Sequence, residues 1–298
     1  MSRYAGKTVL VTGANGFVGG RLVERVLLKE GARVRVLIRN WTNAAWIARL
    51  CPEFFEGDVT VAASVALAVR GCDQVFHCAS GGDTYDGFMR TNVEGTDNIV
   101  SAALRHAVKQ VVYLSSVTVH GSRLPSSVND KTPMIRTGRA YSDSKVSAEE
   151  RIRARVQTDA APICVIRPMF VWGPRGSQFT AGLLAAITSD SLRLMDGGEH
   201  ACHAVYVDNL VDLMLLADTD ARAAGQIFYA TDGQTYSWAD FLNSYARIVH
   251  RPPLRSLSAS SGATQLASFG VKQLGDVLDR FQGNPAPLWK KATRRAAR

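Results

Sequence analysis

Cysteine is scarce in this sequence, and no two cysteines form a Cys-x-x-Cys pair. The five cysteines are Cys51, Cys72, Cys78, Cys164 and Cys202. This scattered spacing argues against a disulfide framework. We expect free thiols, as in proteins of the reducing cytoplasm, and we therefore predict a cytoplasmic protein.

Long hydrophobic runs and low-complexity tracts are also missing. No apolar stretch approaches the length that crosses a bilayer, so we expect no association with a membrane. The first seven residues lead directly into the first predicted strand. We therefore expect no signal peptide. Hydrophobic residues make up 46% of the 298 positions and charged residues 20%. This balance is typical of a globular protein and excludes a disordered chain.

Acidic residues are absent from the C-terminal end of the chain. The last nine positions carry five basic residues, which are Lys290, Lys291, Arg294, Arg295 and Arg298. The formal net charge is +9. Because these five basic residues account for more than half of it, the rest of the chain is only mildly basic, which suits an anionic small-molecule ligand. We interpret the tail as a solvated or frayed end rather than a segment that binds nucleic acid or a membrane surface.

Apolar strands alternate with helical patterns through the first part of the chain. Strands are predicted at 9–11, 33–38, 53–55, 74–78, 110–114 and 163–166. Helices are predicted at 17–30, 44–50, 61–69, 87–106 and 141–156. This alternation predicts an α/β fold with a doubly wound parallel sheet of the Rossmann type, covered by helices on both faces.

The pattern changes after Arg167 and Pro168, where the chain becomes less regular. We predict a nucleotide-binding Rossmann domain over 1–167, to which residues 205–231 return. Residues 168–204 and 232–298 should form a smaller C-terminal lobe. Because ligands of open α/β sheets bind at the carboxyl edge of the sheet, we expect this lobe to cover that edge and select the substrate.

A glycine-rich turn follows the first strand. Gly13, Gly16 and Gly19 are spaced by three between an apolar strand and an amphipathic helix. Such a turn directs backbone N–H groups and the positive end of the helix toward a phosphate. We predict that Gly13 permits the tight turn, Gly16 the approach of a pyrophosphate, and Gly19 the close packing of helix on strand. A strand–turn–helix without a ligand is the alternative.

Residues after the next strands indicate which dinucleotide is bound. Arg39 ends the second strand, where an NAD-binding chain usually carries an acid. A guanidinium there can pair with the 2′-phosphate of NADP, so we predict NADP in preference to NAD. Asp58 can reach the adenine amino group, although capping of the following helix is the alternative for it. We expect His77, inside an apolar strand, to be a packed core residue.

Tyr141 and Lys145 lie on the same face of a predicted helix, because they are one helical turn apart. A free tyrosine has a pKa of about 10 and is a poor base at neutral pH. A neighbouring ammonium lowers such a pKa, so we expect Lys145 to lower that of Tyr141. Tyr141 could then exchange a proton with a substrate hydroxyl or carbonyl. A serine of the pair Ser115-Ser116 can hydrogen-bond the same oxygen.

These motifs together resemble the extended short-chain dehydrogenases/reductases, a superfamily that includes NAD(P)-dependent epimerases, dehydratases and 3β-hydroxysteroid-dehydrogenase-like enzymes. The matching segments are 12–19, 57–59, 75–80, 91–96, 115–121, 141–145, 166–174 and 205–209. The resemblance implies a catalytic triad of Ser116, Tyr141 and Lys145, with Lys145 also binding the nicotinamide ribose. The cofactor-binding residues that it implies are Gly13, Asn15, Gly16, Phe17, Val18, Arg39, Asp58, Val59, Ala79, Ser80, Tyr141, Lys145, Pro168 and Val171.

Departures from the family pattern narrow the chemistry. The sugar dehydratases carry Asp-Glu directly after the catalytic serine or threonine, whereas this chain has Val117-Thr118. Nucleotide-sugar epimerases usually carry a diphosphate-binding arginine near the position of Cys202, and a neutral thiol cannot replace it. His200 and His203 could suggest a metal site, but no third ligand is evident, so we predict none.

The resemblance therefore implies an NADP-dependent oxidoreductase that transfers a hydride between the cofactor and a small-molecule secondary alcohol or ketone, with Tyr141 as general acid and base. A nucleotide-sugar epimerase is the alternative. A non-catalytic NADP-binding protein is less favoured, because such family members tend to lose the tyrosine and lysine. The family habit also implies a homodimer, formed through the helices at 87–106 and 141–156.

Overall fold

The computed structural model describes residues 3–41, 44–121, 124 and 127–258. The basic tail and the C-terminal part of the predicted lobe lie outside the described residues. The strands in chain order are β1 (Thr8–Thr12), β2 (Arg33–Ile38), β3 (Glu53–Glu56), β4 (Gln74–His77), β5 (Gln110–Leu114), β6 (Ile163–Pro168), β7 (Phe170–Trp172), β8 (Leu194–Met195), β9 (Ala204–Tyr206), β10 (Ile227–Ala230) and β11 (Ser256–Leu257).

Helices follow most of the strands of the main sheet. They are α1 (Phe17–Arg25), α2 (Ala45–Ala48), α3 (Ala62–Val69), α4 (Tyr85–Met89), α5 (Gly95–Arg105), α6 (Ala140–Asp159), α7 (Leu183–Thr188), α8 (Val207–Thr219) and α9 (Trp238–Ile248). Within the described part of the chain, no helix is long and apolar enough to cross a membrane.

Seven strands form a central sheet in the order β10-β6-β5-β4-β1-β2-β3. All of its pairings are parallel. The chain runs outward in one direction from β1 to β3 and then restarts at β4 on the other side of β1. This reversal creates the crevice at which doubly wound sheets bind ligands. The predicted α/β fold with a doubly wound parallel sheet is therefore confirmed.

Both faces of the sheet are covered, which explains why its strands are apolar on both sides. Alternate residues of a strand point to opposite faces. In β1, Val9 and Val11 share one apolar cluster with Leu22 of α1. Leu10 lies in the other cluster with Ile99 of α5. The continuous apolar run in β1 thus serves two separate cores.

The helices predicted at 17–30 and 87–106 are correctly placed, but each contains a π-helical turn that the prediction did not include. The first is α-helical only to Arg25 and continues as the π-helical turn Val26–Glu30, which stops at Gly31. The helix predicted at 87–106 consists of α4, a π-helical turn at Arg90–Glu94, and α5. Such π turns occur as single turns inside α-helices, and the sequence prediction did not separate them from the α-helical turns beside them.

A third apolar cluster lies away from the central sheet. Its buried members are Leu183, Ile187, Leu194, Cys202, Ala204, Phe241, Leu242, Tyr245 and Ala246. These residues come from α7, α9 and the segments around β8 and β9, after the end of β6. The division into a nucleotide-binding domain and a substrate lobe stays a prediction, because much of the proposed lobe lies outside the described residues.

The glycine turn after β1 allows three backbone segments to approach closely. Gly13 has φ +67°, and a Cβ there would lie 2.7 Å from the backbone of Cys78 and Ala79 after β4. A Cβ on Gly19 would lie 2.4 Å from the carbonyl oxygen of Gly13. Side chains at these two positions would therefore force β1, α1 and the end of β4 apart.

We expect Gly19→Ala to lower the free energy of unfolding by about 2 kcal/mol, because the added methyl group must displace the Gly13 carbonyl. Urea unfolding measures this change. Gly71→Ala is the matched control, since Gly71 has φ +77° and nothing within 4 Å of its Cβ position. Backbone strain alone should cost that control about 1 kcal/mol. Equal losses in the two variants would contradict the close packing at Gly19.

Candidate active site

A groove opens at the carboxyl edge of the sheet, where β1 to β4 end. Thr12 pairs with Leu37 and with His77, so these three strands finish at the same level. The residues that line the groove are Gly13, Asn15, Leu37, Arg39, Asn40, Gly57, Asp58, Val59, Ala79, Ser80, Gly81 and Thr91. The groove thus lies at the reversal point of the strand order, against the glycine turn.

Half of the predicted cofactor-binding residues lie in this groove. They are Gly13, Asn15, Arg39, Asp58, Val59, Ala79 and Ser80. The others are not among its lining residues: Gly16 precedes α1, Phe17 and Val18 begin α1, Tyr141 and Lys145 lie in α6, Pro168 ends β6, and Val171 lies in β7. Lining residues outside the predicted cofactor-binding set are Leu37, Asn40, Gly57, Gly81 and Thr91.

The charged residues of the groove differ in their surroundings. Arg39 is exposed at the end of β2, whereas Arg35 of the same strand pairs with Glu53. The carboxylate of Asp58 accepts a hydrogen bond from the backbone N–H of Thr60 at 2.9 Å. Asp58 does not cap α3, because Val61 occupies the cap position and no side chain bonds there. Asp58 is therefore held by its own turn while it lines the groove.

His77 is fully buried at the end of β4. Its ring nitrogens lie 2.7 Å from the hydroxyl of Thr12 and 3.0 Å from that of Thr96. Burial lowers the pKa of His77 to about 3, so the ring is neutral at neutral pH. The structure thus places His77 in the core, as expected, with both nitrogens partnered by threonines.

A chain of hydrogen bonds leads from His77 to α6. Thr96 donates to the carbonyl of Asn92 at 2.6 Å, and the amide of Asn92 donates to Ser144 at 2.8 Å. Ser144 in turn donates to the carbonyl of Tyr141 at 2.8 Å. The same Asn92 accepts a bond from the backbone N–H of Gly81, which lines the groove. The π-helical turn that holds Asn92 therefore connects the groove to the start of α6.

Ser116 and Tyr141 come together although they lie on different elements. Ser116 follows β5 and caps a 3₁₀ turn at Val117–His120. Tyr141 lies in the first turn of α6, and a hydrogen bond with Ser116 lowers its pKa. The ring of Phe88 in α4 meets the Tyr141 ring edge-on, with centroids 6.2 Å apart. The phenol is thus held between β5, α4 and α6.

Lys145 lies one turn after Tyr141 and points at the end of β5. Its Nζ donates to the carbonyl of Leu114 at 2.8 Å and to the hydroxyl of Tyr113 at 3.3 Å. Burial lowers the pKa of Lys145 to about 8. Burial raises the pKa of Cys78 to about 12 against the opposing effect of the Lys145 ammonium, and the carbonyl carbon and oxygen of Cys78 lie against Gly13. Lys145 thus joins α6 to the end of β5.

The expectation that Lys145 lowers the pKa of Tyr141 is wrong in this arrangement. The pKa of Tyr141 is raised, because burial outweighs the hydrogen bond from Ser116. The Nζ of Lys145 is 5.9 Å from the centroid of the Tyr141 ring and bonds instead to β5. Tyr141 is consequently protonated at neutral pH.

Glu149 and Arg167 form an ion pair beneath the site, and neither side chain is exposed. The Nε of Arg167 donates to Glu149 at 3.0 Å, and its Nη1 donates to the hydroxyl of Tyr229 at 2.6 Å. Glu149 also accepts a bond from Ser115, the residue before Ser116, at 2.5 Å. The pair thus joins α6 to β6, β10 and the end of β5. The sequence analysis missed both residues, because their spacing along the chain suggests no contact.

Two histidines and a cysteine of the lobe have clear positions. Cys202 is buried in the third apolar cluster, and burial raises its pKa to about 12. His200 and His203 are exposed. In the part of the chain that the structure describes, no group of three histidine, cysteine or acidic residues could hold a metal ion.

We expect Glu149→Gln to lower the free energy of unfolding by about 3 kcal/mol, because it leaves the guanidinium of Arg167 buried without a counter-charge. Urea unfolding measures this loss. Glu150→Gln is the control, since the neighbouring Glu150 pairs with Arg136 at the surface. Surface pairs contribute little, so the control should stay close to the parent protein. Similar behaviour of the two variants would contradict a structural role for the buried pair.

Residues 9–229 match the model of the NAD dependent epimerase/dehydratase family. A 2-alkyl-3-oxoalkanoate reductase of Stenotrophomonas maltophilia is 29% identical over 93% of this chain and 86% of its own length. A UDP-glucose 4-epimerase of Vibrio cholerae is 28% identical over 83% of this chain and 77% of its own.

The fold is shared with solved structures of sugar-modifying enzymes. A double mutant of a dTDP-glucose 4,6-dehydratase from Streptomyces venezuelae, solved with NAD bound, superimposes with a TM-score of 0.70. The two chains are 23% identical, and the match covers 84% of each. At this identity the likeness concerns the fold alone.

Proposed function

The chain belongs to the NAD-dependent epimerase/dehydratase family, and from that premise we propose that it is an NADP-dependent oxidoreductase that reduces a ketone to a secondary alcohol. One observation carries the proposal. Ser116 follows β5 and the protonated Tyr141 lies in the first turn of α6, and a hydrogen bond with Ser116 lowers the pKa of that phenol. Lys145, one turn after Tyr141, bonds to Leu114 at the end of β5. Two O–H groups thus converge where a carbonyl oxygen can accept them.

The residues of the groove fit a dinucleotide. The missing side chain of Gly13 leaves the turn open beside the groove, and Arg39 offers an exposed cation at the end of β2. We propose that the turn from Gly13 to Val18 binds the pyrophosphate and that Arg39 binds the 2′-phosphate of NADP. Asp58 would accept a hydrogen bond from the adenine amino group. When bound, the nicotinamide supplies the hydride for the reduction.

Tyr141 acts as the general acid in this proposal. As the carbonyl carbon receives the hydride, the π electrons of the C=O bond move to the oxygen, which takes the phenolic proton of Tyr141. A phenol with a raised pKa is protonated at neutral pH, which is the form that reduction requires. Ser116 would donate a second hydrogen bond and stabilise the developing negative charge. Lys145 would bind the nicotinamide ribose.

The lobe supports a substrate without a nucleotide diphosphate. Cys202 lies near the position at which family epimerases carry a diphosphate-binding arginine, and here it is buried in an apolar cluster. A neutral buried thiol offers no charge to a diphosphate. The relative from Stenotrophomonas maltophilia is named as a reductase of 2-alkyl-3-oxoalkanoates. We therefore propose a ketone with apolar substituents, such as a 3-oxoacid, as the substrate class.

A nucleotide-sugar epimerase is the second candidate, and the relative from Vibrio cholerae favours it. Epimerisation uses the same tyrosine, serine and lysine but returns the hydride to the same carbon, so no cofactor is consumed. The two candidates differ in this stoichiometry. Ketone reduction consumes one NADPH per turnover, whereas epimerisation of a UDP-sugar consumes none.

We expect Tyr141→Phe to reduce the rate of NADPH oxidation with 2-alkyl-3-oxoacids by about 100-fold or more, because the phenolic proton is lost. Absorbance at 340 nm measures the rate, and fluorescence titration should show nearly unchanged NADPH binding. Tyr4→Phe is the matched control, since Tyr4 precedes the amino end of β1 and bonds to Asp218. Unchanged turnover in Tyr141→Phe would refute the assignment, and UDP-sugar epimerisation without NADPH loss would favour the second candidate.

We expect the protein to bind NADPH more tightly than NADH, and Arg39→Ala to remove this difference. Loss of charge-assisted hydrogen bonds to the 2′-phosphate should weaken NADPH binding by about tenfold or more. Calorimetric titration of both cofactors measures the effect. Arg33→Ala is the control, because Arg33 is exposed at the other end of β2. Equal affinities of the parent protein for NADPH and NADH would contradict the role of Arg39.

A further inference from the structure

We propose that Thr118 is a positioning residue, which holds the hydroxyl of Ser116 as a hydrogen-bond donor toward the reacting oxygen. This inference rests on the proposed ketone reduction. Thr118 lies in the 3₁₀ turn directly after Ser116, and it belongs to neither the triad nor the groove.

Thr118 bonds to Ser116 through two separate groups. The backbone N–H of Thr118 lies 3.2 Å from the Oγ of Ser116, and the Oγ1 of Thr118 donates to the same Oγ at 3.0 Å. A serine hydroxyl has two acceptor lone pairs and one proton. Both acceptor positions of Ser116 are therefore engaged by the same residue, and only its proton is left to form a further bond.

The remaining proton of Ser116 is available to Tyr141, which lies in the first turn of α6. Ser116 is 8% exposed, so little solvent competes for its hydroxyl. The hydrogen bond between Ser116 and Tyr141 lowers the pKa of the phenol, as a bond donated to the phenolate does. The hydroxyl groups of Thr118, Ser116 and Tyr141 thus form a chain in which each donor strengthens the next.

A directed donor favours the proposed reaction. During reduction the carbonyl oxygen gains negative charge, and a serine that can only donate stabilises that charge without competing for the proton of Tyr141. Ser116 keeps its own proton throughout, because Tyr141 supplies the one that is transferred. Without the Thr118 hydroxyl, one lone pair of Ser116 would be free to accept a bond, and the hydroxyl could turn away from the reacting oxygen.

The turn itself does not depend on the Thr118 hydroxyl. Its backbone bonds run from the N–H of Val119 to the carbonyl of Ser116 and from the N–H of Gly121 to the carbonyl of Thr118. Thr118→Val has nearly the same shape and keeps these bonds, as well as the N–H donor to Ser116. The substitution therefore removes one donor from the chain and leaves the local backbone intact.

The test compares Thr118→Val with Thr118→Ser in NADPH oxidation with a 2-alkyl-3-oxoacid. We expect Thr118→Val to lower kcat about tenfold, to leave the KM for NADPH unchanged, and to increase the solvent deuterium isotope effect on kcat. Thr118→Ser keeps the hydroxyl and should restore kcat and the solvent isotope effect to the parent values. Thermal unfolding verifies that each variant is folded. The control is Thr219→Val, which makes the same substitution at the last residue of α8.

A normal kcat in Thr118→Val, or a loss that Thr118→Ser does not restore, would overturn the inference. Failure of the proposed function has a different signature, in which the parent protein itself reduces no ketone. In that case the hydrogen-bond chain is tested by NMR of 13Cζ-labelled tyrosine, with the Tyr141 signal identified by its absence in Tyr141→Phe. Thr118→Val should shift that signal and Thr118→Ser should not. An unshifted signal in Thr118→Val would again overturn the inference about Thr118.

Discussion

The site depends on the buried ion pair between Glu149 and Arg167. Taking both charges out of water is costly, and the pair is tolerated because each partner has further hydrogen bonds. Those bonds attach α6 to β6, to β10 through Tyr229, and to the end of β5 through Ser115. Since Ser116 follows Ser115 and Tyr141 lies on α6, the ion pair ties together the two elements that carry these side chains.

The buried face of α6 is polar, and its polar side chains are likewise tolerated because they have hydrogen-bond partners. Asp143, Ser144, Lys145 and Glu149 are all buried there, although helices normally bury apolar residues. Each of these side chains has a specific partner on another element, so the helix can occupy only one position against the sheet. The polar face therefore costs burial energy and in return places Tyr141 beside Ser116, next to the groove. The role that we propose for Thr118 extends this arrangement to the direction of the Ser116 proton.

The parts of the fold that the sequence predicts are those with local signals. Strand β2 was predicted at its observed bounds, and the turn with Gly13 and Gly19 contains the close contacts expected from glycine spacing. The π-helical turn at Arg90–Glu94 was missed, and with it the bond from Asn92 to Ser144. That bond joins residues far apart in the chain, and no periodicity in either segment signals the partner.

The sequence by itself determined the parallel sheet, the family and the residue types at the site, because strand alternation, glycine spacing and the Tyr141–Lys145 pair are local patterns. Only the tertiary structure decided their electrostatics. The pKa of Tyr141 is raised rather than lowered, because burial depends on how α4, α6 and the end of β5 pack together. It likewise decided that Lys145 bonds to Leu114, since a side chain's partners depend on the packing of elements that are distant in the sequence.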